Sequence, residues 1–278
     1  MKRQNTMYTK EEITRRIEEL GREQPWNHSI ELPYGIRTTA GEQVSHGKNL
    51  VKWSRIREFI EKINVKDMRV LDVGCSEGFF SLKLAELGAR EVVAVDADAL
   101  RIKKARSVCE ILGVSNVTYE VADVFDAGVE RYGHFDFALC MGFLHRVPYP
   151  YQAVRQLTEM SDMVLLEWKS LREGSSDLPV MKFCGGHSKD SSIYSGLYWL
   201  PSVQCVLDML RSVGFAHNLV VDHSAWRRSI VVSSRLDNAV FRNRDVRDVN
   251  KLTLLGRMTR SYLGSVRRAL RNKETGWR

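Results

Sequence analysis

The sequence predicts an α/β protein with a mostly parallel sheet and helices on both faces, and three observations carry that expectation. Short apolar, β-branched runs alternate with helix-spaced segments from residue 68 to residue 167, the pattern of parallel strands joined by crossover helices. Three successive runs carry an aspartate at or beside their C-terminal end: Asp72, Asp96 and Asp123. The first run then turns through Gly74 and Gly78 into a helical segment starting at Phe79. Such a loop of small residues presents helix-start amides to a ligand. Open sheets of this class bind ligands at those strand ends.

Taken in order, Thr9 is an N-cap for a charged helix over Lys10 to Leu20, with Gly21 as its stop. From Trp26 to Gly41 apolar and polar residues alternate, through His28, Ile30, Leu32, Tyr34 and Ile36. That period of two predicts an extended flap laid on the core. Lys48 to Ile63 is helical and leads to a strand over Arg69 to Val73. Phe79 to Leu87 is the next helix, and Glu91 to Asp96 and Asn116 to Asp123 are the second and third strands. Phe135 to Gly142 is the fourth and Met163 to Glu167 the fifth. Arg172 to Gly196 is a Ser/Gly-rich insertion suited to acceptor contacts or a lid. A helix over Pro201 to Val213 and a hairpin of Phe215 to Val221 with Ser229 to Ser233 complete the unit. The expected organisation is an N-terminal helix and flap over 1–44, the α/β domain over 45–235 and a basic tail over 236–278.

The glycine loop narrows the ligand. Its spacing is Gly74-x-x-x-Gly78, with Cys75 and Ser76 between, and not the G-x-G-x-x-G of dinucleotide sites. Asp72 stands two residues before Gly74. A fixed negative charge there suits a ligand carrying an ammonium and sits poorly beside a pyrophosphate. S-adenosylmethionine (SAM) carries that ammonium and a sulfonium besides. Asp96 follows at the distance of about 20 residues at which an acid grips ribose hydroxyls in doubly wound folds. Asp123 suits an adenine amino group, with Val124 and Phe125 covering the ring. A single strand-end aspartate is ordinarily a helix cap or turn former; three in succession favour a ligand.

Leu71-Asp72-Val73-Gly74-Cys75-Ser76-Glu77-Gly78, Val95-Asp96, Ala122-Asp123 and Phe135-Asp136 resemble the successive motifs of class I SAM-dependent methyltransferases. The resemblance spans roughly residues 45 to 235. It implies a Rossmann-like seven-stranded sheet with the last strand antiparallel and helices on both faces. It also implies SAM as cofactor, with Asp72 and Gly74 at its methionine end, Asp96 on the ribose, Asp123 and Val124 at the adenine, and Cys75, Ser76, Gly78, Ala97 and Met141 as further cofactor-binding residues. A closer similarity is to the branch containing the tRNA wobble-uridine carboxymethyltransferases. It rests on Ile30-Glu-Leu-Pro-Tyr-Gly-Ile36, Met141-Gly-Phe-Leu144, Pro148 to Pro150 and Tyr198-Trp-Leu-Pro-Ser202. This chain has His145-Arg146 where that branch has Tyr-His, and His28 near the place of a lysine that serves carboxy-SAM there. Both departures weigh against carboxy-SAM and against tRNA.

On the acceptor side, His145 follows the fourth strand, where a base would face the methyl group, and an imidazole titrates near neutrality. The bland alternative is a histidine that packs or bonds a loop carbonyl. Tyr34, Glu167 and Arg227 are the candidate acceptor contacts, Arg227 as half of an arginine pair able to clamp an anion. The expected acceptor is an oxygen of a small molecule or glycan. The alternatives are a tRNA-modifying enzyme and a non-catalytic module that keeps the fold as a binding scaffold.

Composition bounds the rest. The 278-residue chain has an ordinary apolar fraction, 44%, and no run suited to a membrane span or a signal sequence. Five scattered cysteines without a C-x-x-C predict reduced, cytoplasmic usage. Cys184-Gly-Gly-His187 lacks a second ligand pair, so no metal is expected. From Asn238 to Arg278, eleven basic residues face three acidic ones, which accounts for the whole net charge of +8. Leu252, Leu255, Tyr262, Leu263, Val266 and Leu270 recur there at helical spacing, opposite arginines. Such a helix suits an anionic membrane surface or RNA, or it docks on the domain by its apolar stripe. Peripheral membrane association stays open on the first option.

Overall fold

The computed structural model describes residues 7–39, 48–171, 178–185, 198–224, 228–237 and 239–242. Helix α1, Lys10–Glu23, opens with a reciprocal capping box. The Thr9 hydroxyl accepts from the Glu12 amide at 3.2 Å, and the Glu12 carboxylate accepts from the Thr9 amide at 2.7 Å. The helix continues through Gly21, which the sequence marks as its stop. The indole of Trp26 packs on that glycine and donates to the Ile17 carbonyl at 3.1 Å, so the residue without a side chain serves packing and not termination.

The flap then runs extended, with Trp26, Ile30 and Leu32 buried as the alternation requires. Its period breaks at a single turn of 3₁₀ helix, Pro33–Gly35, which is closed by a bridge between Glu31 and Arg37. Tyr34 sits in that turn with φ of 61° and is 58% exposed.

Helix α2, Lys48–Ile63, leads into β1, Arg69–Val73. Strand and helix then alternate through α3, Phe79–Glu86; β2, Glu91–Asp96; α4, Ala99–Leu112; β3, Val117–Val121; and the short α5, Val129–Tyr132. There follow β4, Phe137–Met141; α6, Pro150–Met160; and β5, Met163–Lys169. Between β5 and the next helix, the described residues form a small antiparallel ladder of β6, Met181–Phe183, with β7, Trp199–Pro201. Helix α7, Val203–Ser212, precedes the hairpin of β8, His217–Ser224, and β9, Arg228–Ser234. A separate short helix α8, Ala239–Arg242, lies beyond; the rest of the basic tail lies outside the described residues.

The main sheet has seven strands in the order β3-β2-β1-β4-β5-β9-β8. The first five run parallel, and β9 pairs antiparallel with both β5 and β8. The expected Rossmann-like sheet is therefore present. Its strands β1, β2, β4 and β5 are buried on both faces, apart from end residues such as Arg69 and Lys169, which is why they read as continuous apolar runs and not alternating ones. Trp168 is fully buried and donates its indole N–H to the Pro201 carbonyl at 3.1 Å. The order reverses between β1 and β4, so the crevice of a doubly wound sheet opens over their C-terminal ends.

Candidate active site

A cavity of about 490 Å³ lies at that switch point. Gly74, Ser76, Asp96 and Ala97 line one side, and Ala122 and Val124 continue it past β3. Met141, Gly142 and Phe143 form its floor beyond β4. A larger, open concavity of about 720 Å³ lies over edge strand β3, but it holds none of the motif residues.

The glycine loop is fastened to β2: the Gly74 and Cys75 amides both donate to the Val95 carbonyl, at 2.9 and 3.1 Å. Asp96 is aimed by two backbone donors, the amides of Ser76 and Asp98, each at 2.9 Å. Burial holds its pKa above the usual carboxylate range. With those two bonds made, Asp96 lines the cavity, an arrangement that fits a vicinal diol. Ala122 and Val124 present apolar surface beside it, which fits a flat aromatic base.

Of the three strand-end acids, Asp96 alone lines the cavity. Asp72 is 1% exposed and accepts from the Ser81 hydroxyl at 2.6 Å. The next two residues, Val73 and Gly74, do line the cavity, so its charge sits close by without lining the site itself. Burial, and then the nearby Asp96, push its pKa up to about 7, against the pull of the Ser81 bond. Asp123 accepts from the Phe125 amide at 2.9 Å and shapes the turn after β3; its neighbours face the cavity instead. Cys75 is buried in the wall, where desolvation raises its thiol pKa well above the ordinary value. Gly78 is the left-handed cap of α3, φ 81°, with no room beside it: a Cβ there would stand 2.3 Å from the Tyr119 hydroxyl and 2.7 Å from its ring.

The acceptor-side expectations need more correction. Tyr34 lies outside the cavity, where its hydroxyl donates to the Tyr8 carbonyl at 3.3 Å, because the Pro33–Gly35 turn swings it outward. His145 is 3% exposed and stands in the wall. Its Nδ1 accepts from the Lys169 amide at 3.2 Å. Burial, then Arg228, Arg146, Lys52 and Lys169, drive its pKa well below the ordinary value. Nδ1 is thus taken up by backbone and the ring is buried, the arrangement the bland reading of His145 describes. Glu167 is 1% exposed and bridges two cations. Lys52 Nζ is 3.2 Å from it, and Arg228 Nη1 donates to both its oxygens at 2.9 and 3.0 Å. Arg227 lies outside the described residues.

Lys52, Arg146 and Arg228 all line the cavity with Gly142; Arg228 is the other half of the arginine pair the sequence offered as an anion clamp, whereas sequence reasoning missed Lys52 and Arg146. Gly142 has φ of 84°, and a Cβ on it would come within 2.7 Å of Lys52 Nζ and 3.2 Å of Glu167 Oε2. The Lys52 pKa is lowered, by burial first and in opposition to Glu167. Truncating Glu167 to Ala should destabilise the fold by roughly 3 kcal/mol, because it leaves two partly buried like charges without their counter-ion. A lower urea midpoint at unchanged slope would show it; an unchanged midpoint would mean that the pair contributes nothing.

Among the described residues no group of three or more metal-ligand side chains comes together. His187, the partner considered for Cys184, is outside the described residues.

Residues 64–165 match the model of a methyltransferase domain family. Over that segment the chain carries a methyltransferase domain. The domain is 38% identical over 101 residues to the ubiquinone biosynthesis O-methyltransferase of Xanthomonas euvesicatoria, covering 36% of this chain and 41% of the relative. It is 26% identical over 220 residues to the tRNA U34 carboxymethyltransferase of Actinobacillus succinogenes, covering 77% of this chain and 63% of that one. In both cases the chain spans less than two thirds of the relative's length. Among solved structures it is similar to the N-terminal domain of EvdMO1 with S-adenosylhomocysteine (SAH) bound, with a TM-score of 0.66, 24% identity, and coverage of 84% of this chain and 99% of that one. A magnesium protoporphyrin IX methyltransferase from Synechocystis with SAM bound aligns at a TM-score of 0.51 and 18% identity, over 68% and 80% of the two chains. Both share the fold. No helix among the described residues is long and apolar enough to cross a membrane.

Proposed function

We propose that the protein transfers the methyl group of SAM to an oxygen of a small molecule or glycan. One observation carries this reading: a single continuous cavity joins the Asp96 end, fit for a nucleoside, to a cationic end at Lys52, Arg146 and Arg228. Bound SAM supplies an electrophilic methyl on a positively charged sulfur, and its departure leaves a neutral thioether. The chain's own residues hold and align. Asp96 takes the ribose hydroxyls, Ala122 and Val124 flank the base, and the ionised Asp72, two residues before Gly74, attracts the ammonium. At the acceptor end the side chains are cations, which hold an electron-rich oxygen in line with the methyl. Alignment of that kind supplies much of the acceleration in a displacement with a neutral leaving group. With His145 in the wall and Glu167 held by two cations, Lys52 is the group placed to bond the acceptor oxygen.

Calorimetry with SAH tests the cofactor reading, and the absence of binding refutes it. Transfer of labelled methyl from SAM to a panel of phenols, hydroxy acids and sugars tests the acceptor class. Lys52→Met should lower turnover roughly 100-fold, in the range for losing one preorganised hydrogen-bond donor, and leave SAH affinity near the wild-type value. Equal turnover would remove Lys52 from the site. His145→Ala should instead cost stability and leave the pH profile of the reaction in place.

A second reading, a tRNA wobble-uridine carboxymethyltransferase, draws on the same three cations, which would also hold an extra carboxylate on the cofactor. Mass analysis of any cofactor that co-purifies separates the two readings. RNA held through the 238–278 tail would dissociate steeply with added salt, whereas association with an anionic membrane through that tail requires binding to anionic vesicles.

A further inference from the structure

Glu77, between Ser76 and Gly78 of the cofactor loop, has no part in the reading above, yet it is the most completely enclosed acid of the site, at 0% exposure. Its carboxylate points away from the cavity, toward the flap that follows α1. One oxygen accepts from the Asn27 amide at 3.0 Å and the other from the His28 amide at 2.9 Å. Arg101 Nη1, from α4, donates to it at 2.9 Å and to the Ser76 hydroxyl at 3.2 Å. His28 adds a second tie. Burial lowers its pKa to about 4, so the neutral ring accepts from the Phe79 amide at 3.4 Å, at the start of α3.

The strap therefore hangs from the cofactor loop itself. Gln24, Pro25, Asn27 and His28 line the same cavity as Ser76, Asp96 and Arg101. The Ser76 amide, one residue before Glu77, is also the donor that aims Asp96. Any adjustment of residues 74–78 around a nucleoside is passed by a charge-assisted pair of bonds to the backbone of the opposite wall. A carboxylate is the side chain that can do this, because it alone accepts from two adjacent amides and a guanidinium at once.

We propose that Glu77 is a positioning residue that couples cofactor binding to closure of the strap over residues 24–38, so that an empty cofactor loop and an open wall favour each other. This rests on the SAM reading. Coupling of this kind is reciprocal: whatever the cofactor does for the strap, the strap does for the cofactor by the same factor.

Hydrogen exchange of residues 24–38, with and without saturating SAH, is read on the full-length wild type, Glu77→Gln and Thr38→Val. In the wild type SAH should slow exchange at Asn27 and His28. In Glu77→Gln those amides should exchange about tenfold faster, and SAH should bind about tenfold more weakly. Thr38→Val guards against a Glu77 variant that fails to fold. Thr38 lies outside the cavity lining; its hydroxyl accepts from the Ile30 amide at 3.0 Å and donates to the His28 carbonyl at 2.5 Å. Losing those bonds loosens the strap from its far side, and coupling requires SAH affinity to fall with it. A loosened strap with unchanged SAH affinity overturns the proposal, as does a wild-type strap whose exchange ignores bound SAH. Failure of the wild type to bind SAH at all overturns the cofactor reading as well, and calorimetry on that protein alone separates the two failures.

Discussion

SAH should bind the wild-type protein about tenfold more tightly at pH 8 than at pH 6, and Asp72→Asn should abolish that difference. The reason lies in the burial that lifts the Asp72 pKa to about 7 in the empty site. At pH 6 roughly nine in ten empty sites hold a protonated, uncharged Asp72, and the ammonium of SAH must displace that proton. By about pH 8 the charge is already present in most sites and the dependence levels off. The sign for folding is the reverse. The native state retains a proton that the unfolded chain releases near its ordinary value of 3.8, so this group's contribution to stability falls as pH rises from about 4 to about 7. SAH, by neutralising the buried charge, should restore stability most at pH 8. In Asp72→Asn the neutral amide keeps the volume but not the charge. Affinity at pH 8 should drop by at least about tenfold, since the variant cannot ionise and matches the protonated wild type. Calorimetry at several pH values, in buffers of different ionisation enthalpy, reads both the affinity and the proton released. A flat profile in the wild type would show that Asp72 is not linked to the ammonium.

Gly78→Ala should eliminate measurable SAH binding and lower the melting temperature by roughly 6–12 °C. Two penalties add. A left-handed backbone costs a residue with a side chain about 1–2 kcal/mol. The new methyl also meets the ring of Tyr119, which is 4% exposed and cannot retreat, and overpacking costs another 1–3 kcal/mol. About 3 kcal/mol in all, at 2–4 °C for each in a domain of this size, gives that shift. Tyr119→Phe in the same chain should not rescue it, since the clash includes ring carbons at 2.7 Å as well as the hydroxyl. Differential scanning calorimetry with and without SAH decides the matter. A variant that melts normally and binds SAH would mean that the loop has freedom the contacts around Tyr119 do not allow. Gly142→Ala is a useful contrast. Its new methyl would meet the flexible end of Lys52, so it should spare SAH binding and impair transfer.

Much of the fold was legible because its signals are local. A strand covered on both faces is apolar without interruption, a helix is periodic, and a glycine pair between them forces a turn, so β1 to β5 fall where the pattern puts them. The flap was legible only as far as Leu32; beyond it Pro33–Gly35 breaks the alternation and turns Tyr34 outward. The burial of His145 was not legible because burial has no sequence signature: a histidine after a strand reads the same whether its ring faces a cavity or a backbone amide. Glu77 was passed over for the converse reason, since a charged residue in a glycine loop ordinarily faces water. Arg228 reaches Glu167 only because β9 inserts beside β5, in a register that sets Lys169 opposite Arg228 and Glu167 opposite Ile230, and no spacing along the chain encodes that neighbour.

The sequence by itself determined the α/β alternation, the crevice loop at Gly74 and the acids that mark successive strand ends, since each depends on residues close together in the chain. Only the tertiary structure decided which of those residues meet the cavity. Successive side chains along a strand point to opposite faces, and whether a given face opens on a ligand, as at Asp96, or on packed protein, as at Asp72, depends on elements that arrive from far along the chain. The cationic acceptor end, assembled from α2, the loop after β4 and the start of β9, exists only once the sheet has closed around it.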